Sequence, residues 1–353
     1  MKVLQVVTSL STGGAEKLIV DMIPNLQKQG HLTDVLVLKD MESGFRNQLK
    51  ASTNGRVFFM SKGSVYNPWH IIKIVKYLHR YDVVHVHLFP ALYWVVLARF
   101  ISFSKTRIVY TEHSTNNRRR QSKIWRAVDK VIYRGLDSIC CITAATKKNL
   151  DQHLGRDTAA KIINNGIVVE NYKNKSAKFE YLPQGFNLIQ VSSFRSQKDQ
   201  MTVIKALKYL PEEISVIFVG DGGLRQEHED FAEKLDLMHR VIFLGNRYDV
   251  PELLNFADVA ILSSYYEGFG LSIVEGMAAG KPAIASDVEG IKEIVDGYGL
   301  LFEQGNEKEL ADCILQLYTN QQFYAEKAKS CALRAEEYTL DKMINLYIKE
   351  YDS

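Results

Sequence analysis

Short apolar runs alternate with helical patterns along most of this chain, and no other feature restricts its fold as strongly. In the first half, strand-like runs stand at 2–9, 34–38, 57–60, 83–87, 107–112, 138–143 and 162–163. In the second half they stand at 186–192, 216–220, 241–245, 259–262 and 283–286. Runs this short and apolar suit strands buried on both faces, and the helices between them supply the crossovers that parallel strands require. The fold class is therefore α/β with parallel sheets. A length of 353 residues exceeds one ordinary core and suits two domains. The polar, Lys-rich stretch 171–184 reads as a linker between a domain at 1–170 and another at 185–337.

Several of these strands end in glycine-rich turns followed by helices. The most informative is 263–280, SSYYEGFGLSIVEGMAAG. Gly268 and Gly270 bracket Phe269, and a helix runs on until Gly280 and Pro282 stop it. Amides at such a helix start point outward, where the helix dipole favours an anion. Two carboxylates flank that start, Glu267 and Glu275. Anion-binding amides beside two acids suit a ligand that carries both phosphates and hydroxyls. A turn and helix cap with two solvated acids would read the same way if the stretch stood alone. The first strand ends similarly, in Ser11-Thr12-Gly13-Gly14-Ala15-Glu16, with adjacent glycines rather than the G-x-G-x-x-G dinucleotide pattern. After the strand at 186–192 comes SSFRSQKDQ, with Arg195 and Lys198 at a helix start. Basic side chains there oppose the helix dipole unless they hold an anion.

The spacing of Glu267 and Glu275, with G-F-G directly after the first, resembles the E-x(7)-E signature of retaining glycosyltransferases of family 4. The likeness continues through EGFGLSIVEGMAAGKPAIASDVEGIKEIV, the GGAE turn, the NGI turn at 165–167 and the VGDG turn at 219–222. It implies the GT-B fold: two Rossmann-like domains facing across an interdomain cleft, with a C-terminal helix at about 338–353 crossing back to the first domain. It also implies transfer of a sugar from a nucleotide diphosphate sugar to a hydroxyl acceptor with retained configuration. Glu275 would hold the ribose hydroxyls and Glu267 the donor-sugar hydroxyls. Lys198 and Arg195 would neutralise the diphosphate as its negative charge develops. The usual arginine position is Ser193 here, and Arg195 two residues on takes its place, as in members that read F-R-x-x-K. The amides of Phe269, Gly270 and Leu271 would bind donor groups, and the loop with Asn246 and Arg247 would receive the base. Gly13, Gly14 and His113, which ends the strand at 107–112, would complete the site. Uridine diphosphate sugars are favoured as donors. No D-x-D motif stands at the site, so neither a metal nor another cofactor is expected.

Net charge is +3, but it is unevenly divided: residues 1–170 carry 25 Lys and Arg against 12 Asp and Glu, while the remainder carries 19 against 29. A basic first half faces an anionic ligand or surface, unless the charges are simply solvated. Arg118, Arg119, Arg120, Lys123 and Trp125 form an Arg-rich lead-in to a helix and suit a lipid phosphate or membrane surface. Within that helix, Ile124, Trp125, Val128, Val131 and Ile132 share a stripe that reads first as core. No nucleic-acid motif accompanies the charge, so nucleic acid is not an expected partner. The acceptor expected is a lipid-linked glycan or oligosaccharide in cell-surface polysaccharide assembly. His85 and His87 alternate on one strand face without a third metal ligand nearby and read as structural or pocket-lining. The chain opens on a strand rather than a leader, no run reaches ~18 apolar residues, and four cysteines lack metal spacing. A cytoplasmic protein, peripheral on the inner membrane face, is expected. Two other readings remain open: a catalytically silent GT-B partner subunit, which Ser193 supports, and a nucleotide-sugar epimerase, which should lack the E-x(7)-E pairing.

Overall fold

The computed structural model describes residues 1–11, 13–115, 120, 122–174 and 179–353. The chain divides into two compact units, Met1–Gly166 with Leu340–Ser353, and Ile167–Thr339.

The first unit is built on seven parallel strands: β1 (Lys2–Val7), β2 (Leu32–Lys39), β3 (Val57–Ser61), β4 (Val83–His87), β5 (Arg107–Glu112), β6 (Ser138–Cys141) and β7 (Lys161–Ile162). Their order is β3-β2-β1-β4-β5-β6-β7. Val3, Leu4, Val6, Val84 and Val86 are fully buried, because the crossover helices cover both faces of the sheet. Order reverses where β1 pairs β4, at Val3 with Val83 through Val6 with Val86. In open α/β sheets the crevice outside the carboxyl ends of the strands at this reversal is where ligands bind. The last helix, Leu340–Asp352, belongs to this unit and buries Tyr347 and Tyr351.

The second unit holds six parallel strands: β8 (Phe186–Val191), β9 (Ile214–Val219), β10 (Val241–Phe243), β11 (Val259–Leu262), β12 (Ala283–Ser286) and β13 (Leu300–Phe302). Their order, β10-β9-β8-β11-β12-β13, reverses between β8 and β11. A second ligand edge therefore lies where the FRSQK and EGFG segments begin. β9, β11 and β12 are buried along their whole length.

One element departs from the sequence reading. In the helix Lys123–Ile132, the apolar stripe is not core: Ile124 is 77% exposed, Val131 58% and Trp125 40%, and only Ile132 of the five is buried. The buried face is turned toward Val128, Asp129 and Ile132. It is fixed by a polar contact, since buried Asp129 accepts from the Tyr93 hydroxyl and, at 2.8 Å, from His153 Nε2. A carboxylate in a core needs such partners.

Candidate functional site

In the second unit, two loops meet at the strand reversal. After β8, Phe194 is driven into the core against Phe218 and Phe243, with ring centroids 5.9 and 5.7 Å away. Gly222 lies so close that a Cβ there would stand 2.3 Å from the Phe194 carbonyl oxygen. With Phe194 held inside, Arg195 is left exposed at the strand end. The next residues zip onto the loop after β11. Lys198 bridges Ser264, Tyr265 N–H donates to the Gln197 carbonyl at 2.9 Å, and Gln197 Nε2 donates to the Tyr266 carbonyl at 2.7 Å. This zipper brings the Lys198 ammonium into an ion pair with the Glu267 carboxylate. Gly268 N–H donates to the other Glu267 oxygen at 3.2 Å.

The helix Leu271–Ala278 starts directly after Gly270, which has φ +81° and supplies no side-chain cap. The start of this helix, which no side chain caps, thus stands in the same loop as the Lys198–Glu267 pair. Phe269 is buried edge-on to Tyr338 at 5.3 Å, so it secures the loop through its side chain. Glu275 is buried on the second turn of the helix, 4% exposed. Beyond β10, Asn246 is exposed, and Arg247 grips Asp249 through Nε at 2.8 Å and Nη2 at 2.6 Å. Arg247 Nη2 also donates to the Tyr181 hydroxyl at 3.1 Å.

In the first unit, Gly13 and Gly14 open the helix Gly14–Lys28 beyond β1. A Cβ on Gly13 would lie 2.3 Å from the Glu16 carboxylate, which folds back over it. Thr8 ties this loop to the end of β4 by donating to the Phe89 carbonyl at 3.2 Å. His113, just past β5, stands 3.0 Å from His87 through Nε2 to Nδ1. Burial depresses the His113 pKa to about 4, so the ring is neutral near pH 7. Its Nδ1 is buried and has no partner among the described residues.

The basic lead-in is only partly as expected. Arg118 and Arg119 lie outside the described residues. Arg120 is corrected: it turns inward, 3.3 Å from the Glu112 carboxylate, with its side chain 9% exposed. Glu112, itself buried beside Tyr133, needs that cation. Lys123 is exposed, while the Trp125 ring lies edge-on to Tyr93 at 6.0 Å and to Phe89 at 6.3 Å. Among the described residues, no three His, Cys, Asp or Glu are grouped to hold a metal ion, and no helix is long and apolar enough to cross a membrane. Sequence reading missed Gln197, whose two bonds align Lys198, and the partners of His87, which lie in distant parts of the chain.

Two doubly wound units, each with a ligand edge at its strand reversal, are of GT-B architecture. The glycosyltransferase family 4 model matches residues 12–171, and the model of glycosyl transferases group 1 matches 170–338. EpsD of Bacillus subtilis (strain 168), a glycosyltransferase by name, is 30% identical over 299 residues, covering 76% of this chain and 77% of EpsD. An Escherichia coli protein named UDP-Gal:alpha-D-GlcNAc-diphosphoundecaprenol alpha-1,3-galactosyltransferase is 26% identical over 65% of each chain. Anabaena Alr3699/HepE, solved with UDP and glucose, shares the fold across the whole of both chains, with a TM-score of 0.87 and 24% identity. The chain belongs to glycosyltransferase family 4, a family of enzymes that use nucleotide sugars. Membership in a transferase family sets aside the epimerase reading.

Proposed function

We propose that this enzyme transfers a sugar from a uridine diphosphate sugar to a hydroxyl of a lipid-linked glycan, with retained anomeric configuration and without a metal. The observation that carries the reading is the Lys198–Glu267 pair, held by zipped loops beside the uncapped start of the helix Leu271–Ala278. Breaking the bond between donor sugar and phosphate puts negative charge on the leaving diphosphate. Lys198 as a point charge, Arg195 as a planar fork and the amides of Phe269, Gly270 and Leu271 at the helix start offset that charge without reorganising. Glu267 accepts donor-sugar hydroxyls, and Glu275 accepts those of the ribose. Asn246 and Arg247 adjoin the base. On the first unit, the Gly13-Gly14 turn admits substrate backbone-close, and His113 Nδ1 accepts a sugar hydroxyl. A neutral imidazole with its pKa near 4 is a poor proton acceptor at neutral pH, so His113 binds rather than deprotonates. The departing phosphate oxygen takes the acceptor proton.

The name of the Escherichia coli relative carries a diphosphoundecaprenol acceptor, which supports a lipid-linked acceptor here. The exposed Ile124, Val131 and Lys123 suit work at an anionic membrane surface.

Binding and turnover with a panel of uridine, guanosine and adenosine diphosphate sugars, in chelator, test the reading. Glu275→Ala should weaken nucleotide binding about tenfold or more, and Glu267→Ala should mainly lower kcat. Equal, small effects from both, or activity that needs added metal, would sink the assigned roles.

A further inference from the structure

Seven buried or part-buried polar side chains of the first unit form one continuous hydrogen-bonded chain that ends at His113. The Thr111 hydroxyl donates to Tyr347 at 3.1 Å. His85 Nε2 lies 2.8 Å from Thr111 Oγ1, and His85 Nδ1 lies 2.7 Å from the Tyr351 hydroxyl. Gln5 Nε2 donates to the same hydroxyl at 3.2 Å. His87 Nε2 lies 2.9 Å from Gln5 Oε1, and His87 Nδ1 lies 3.0 Å from His113 Nε2. Two of these residues, Tyr347 and Tyr351, come from the last helix, 266 positions beyond His85 in the case of Tyr351.

The donors and acceptors run in a single direction. The Gln5 amide faces His87 with its oxygen, which can only accept, so His87 carries its proton on Nε2. Burial keeps His87 neutral, which leaves Nδ1 bare. That lone pair accepts the proton of His113 Nε2. His113 is neutral as well, so its Nδ1 is bare too, and this is the atom without a partner among the described residues. On the other side, Tyr351 accepts from Gln5 and donates to His85 Nδ1, while His85 Nε2 donates to Thr111 and Thr111 to Tyr347. Each group between the two ends gives one bond and takes one. Turning the Gln5 amide over would reverse every bond in the chain and place a proton on His113 Nδ1.

We propose that Gln5, His87 and Tyr351 are positioning residues that hold His113 as its Nε2-protonated tautomer, so that Nδ1 offers a lone pair to a substrate hydroxyl. The last helix thereby sets the polarity of a group in the first unit's ligand edge. The identity of the hydroxyl rests on the transferase reading above; the tautomer does not.

Long-range proton–nitrogen correlation spectra of the full chain, labelled at histidine, distinguish protonated from bare ring nitrogens without any substrate. The expected result at pH 7 is His113 protonated on Nε2 alone. A proton on Nδ1, or a doubly protonated ring, overturns the proposal. Substitutions then read the coupling. His87→Asn keeps an acceptor near the Nδ1 position and should retain both the tautomer and most of the activity. His87→Leu and Tyr351→Phe should lose the single tautomer and about tenfold in kcat/KM, the value of one hydrogen bond. Melting curves monitor the fold of each variant, and the wild-type spectrum decides the tautomer even where a variant fails to fold. If the expected tautomer is found in a protein that turns over no donor, the transferase roles fail and the positioning chain stands. If Tyr351→Phe leaves both the His113 spectrum and kcat/KM unchanged, the coupling to the last helix is wrong.

Discussion

His113 sits in a site that keeps it neutral, and that has a consequence for stability. Its folded pKa of about 4 lies below the ordinary histidine value, and burial lowers His85 and His87 in the same direction. Between pH 6.5 and pH 4 the unfolded chain therefore binds protons that the folded chain refuses. Stability should be full above about pH 6.5 and fall as pH drops through that window. The His113 share is at most about 3 kcal/mol, from the size of its shift. Melting temperature followed from pH 7 to pH 5 should fall in the wild type, and the slope should be shallower in His113→Asn by about one proton. A flat profile, or equal slopes, would show that His113 is not held neutral by the fold. Ordinary carboxylates titrate near pH 4, so they contribute little at the upper end of this window.

At the scale of elements, the loop carrying Glu267 depends on how closely another loop passes it. Gly290 has φ +92°, and a Cβ there would stand 2.3 Å from the Glu267 carbonyl oxygen. Gly280 also has positive φ, +75°, but open space around its Cβ position. Comparing the two isolates the contact from the backbone strain. Gly280→Ala should cost ~1–2 kcal/mol and leave turnover near wild type. Gly290→Ala should cost more and lower kcat about tenfold or more, because the displaced backbone carries the carboxylate. Similar losses of turnover in both variants would mean that the close approach does not position Glu267.

Elements were legible in the sequence to the extent that their patterns are local. β4 and β5 are legible to the residue from their buried valine, isoleucine and tyrosine positions, although His85 and His87 interrupt the first and Arg107, Thr111 and Glu112 flank the second. The strand at 138–143 reads too long because the chain leaves the sheet at Ile142 and Thr143 caps the next helix through its hydroxyl, accepting from Thr146 N–H. The helix Lys123–Ile132 misled because apolar periodicity cannot show that buried Asp129, paired with Tyr93 and His153, decides which face turns inward. The same limit applies to the site. Lys198, Glu267 and Gly270 stand in recognisable motifs. The inward turn of Arg120, by contrast, depends on Glu112, and the link from His85 and His87 to Tyr351 spans most of the chain. Contacts of that kind leave no periodic trace.

Over the whole molecule, charge is segregated along the chain, with an excess of 13 positive charges in residues 1–170 and of 10 negative charges in the rest. The basic part also carries the exposed apolar side chains Ile124, Val131, Trp69, Ile72 and Phe103, the last at 88% exposure. Lys123, Arg126 and Lys130 are exposed on the same helix as Ile124 and Val131. Cations beside apolar residues on one surface helix match an interface with anionic lipid, where each basic residue near the surface contributes about 1 kcal/mol. The acidic remainder would be repelled, so attraction should come from the first unit. The expectation is that the protein sediments with vesicles containing anionic phospholipid, weakly or not at all with neutral ones, and less as salt shortens the screening length. Lys123→Glu combined with Arg126→Glu should lower that binding about tenfold or more, since two favourable charges become two unfavourable ones. The same pair should leave transfer to a short soluble acceptor unchanged, because neither residue belongs to the donor site. Binding that ignores lipid charge, or a double variant that binds as well as the wild type, would remove the membrane from the function and leave a soluble acceptor as the remaining choice.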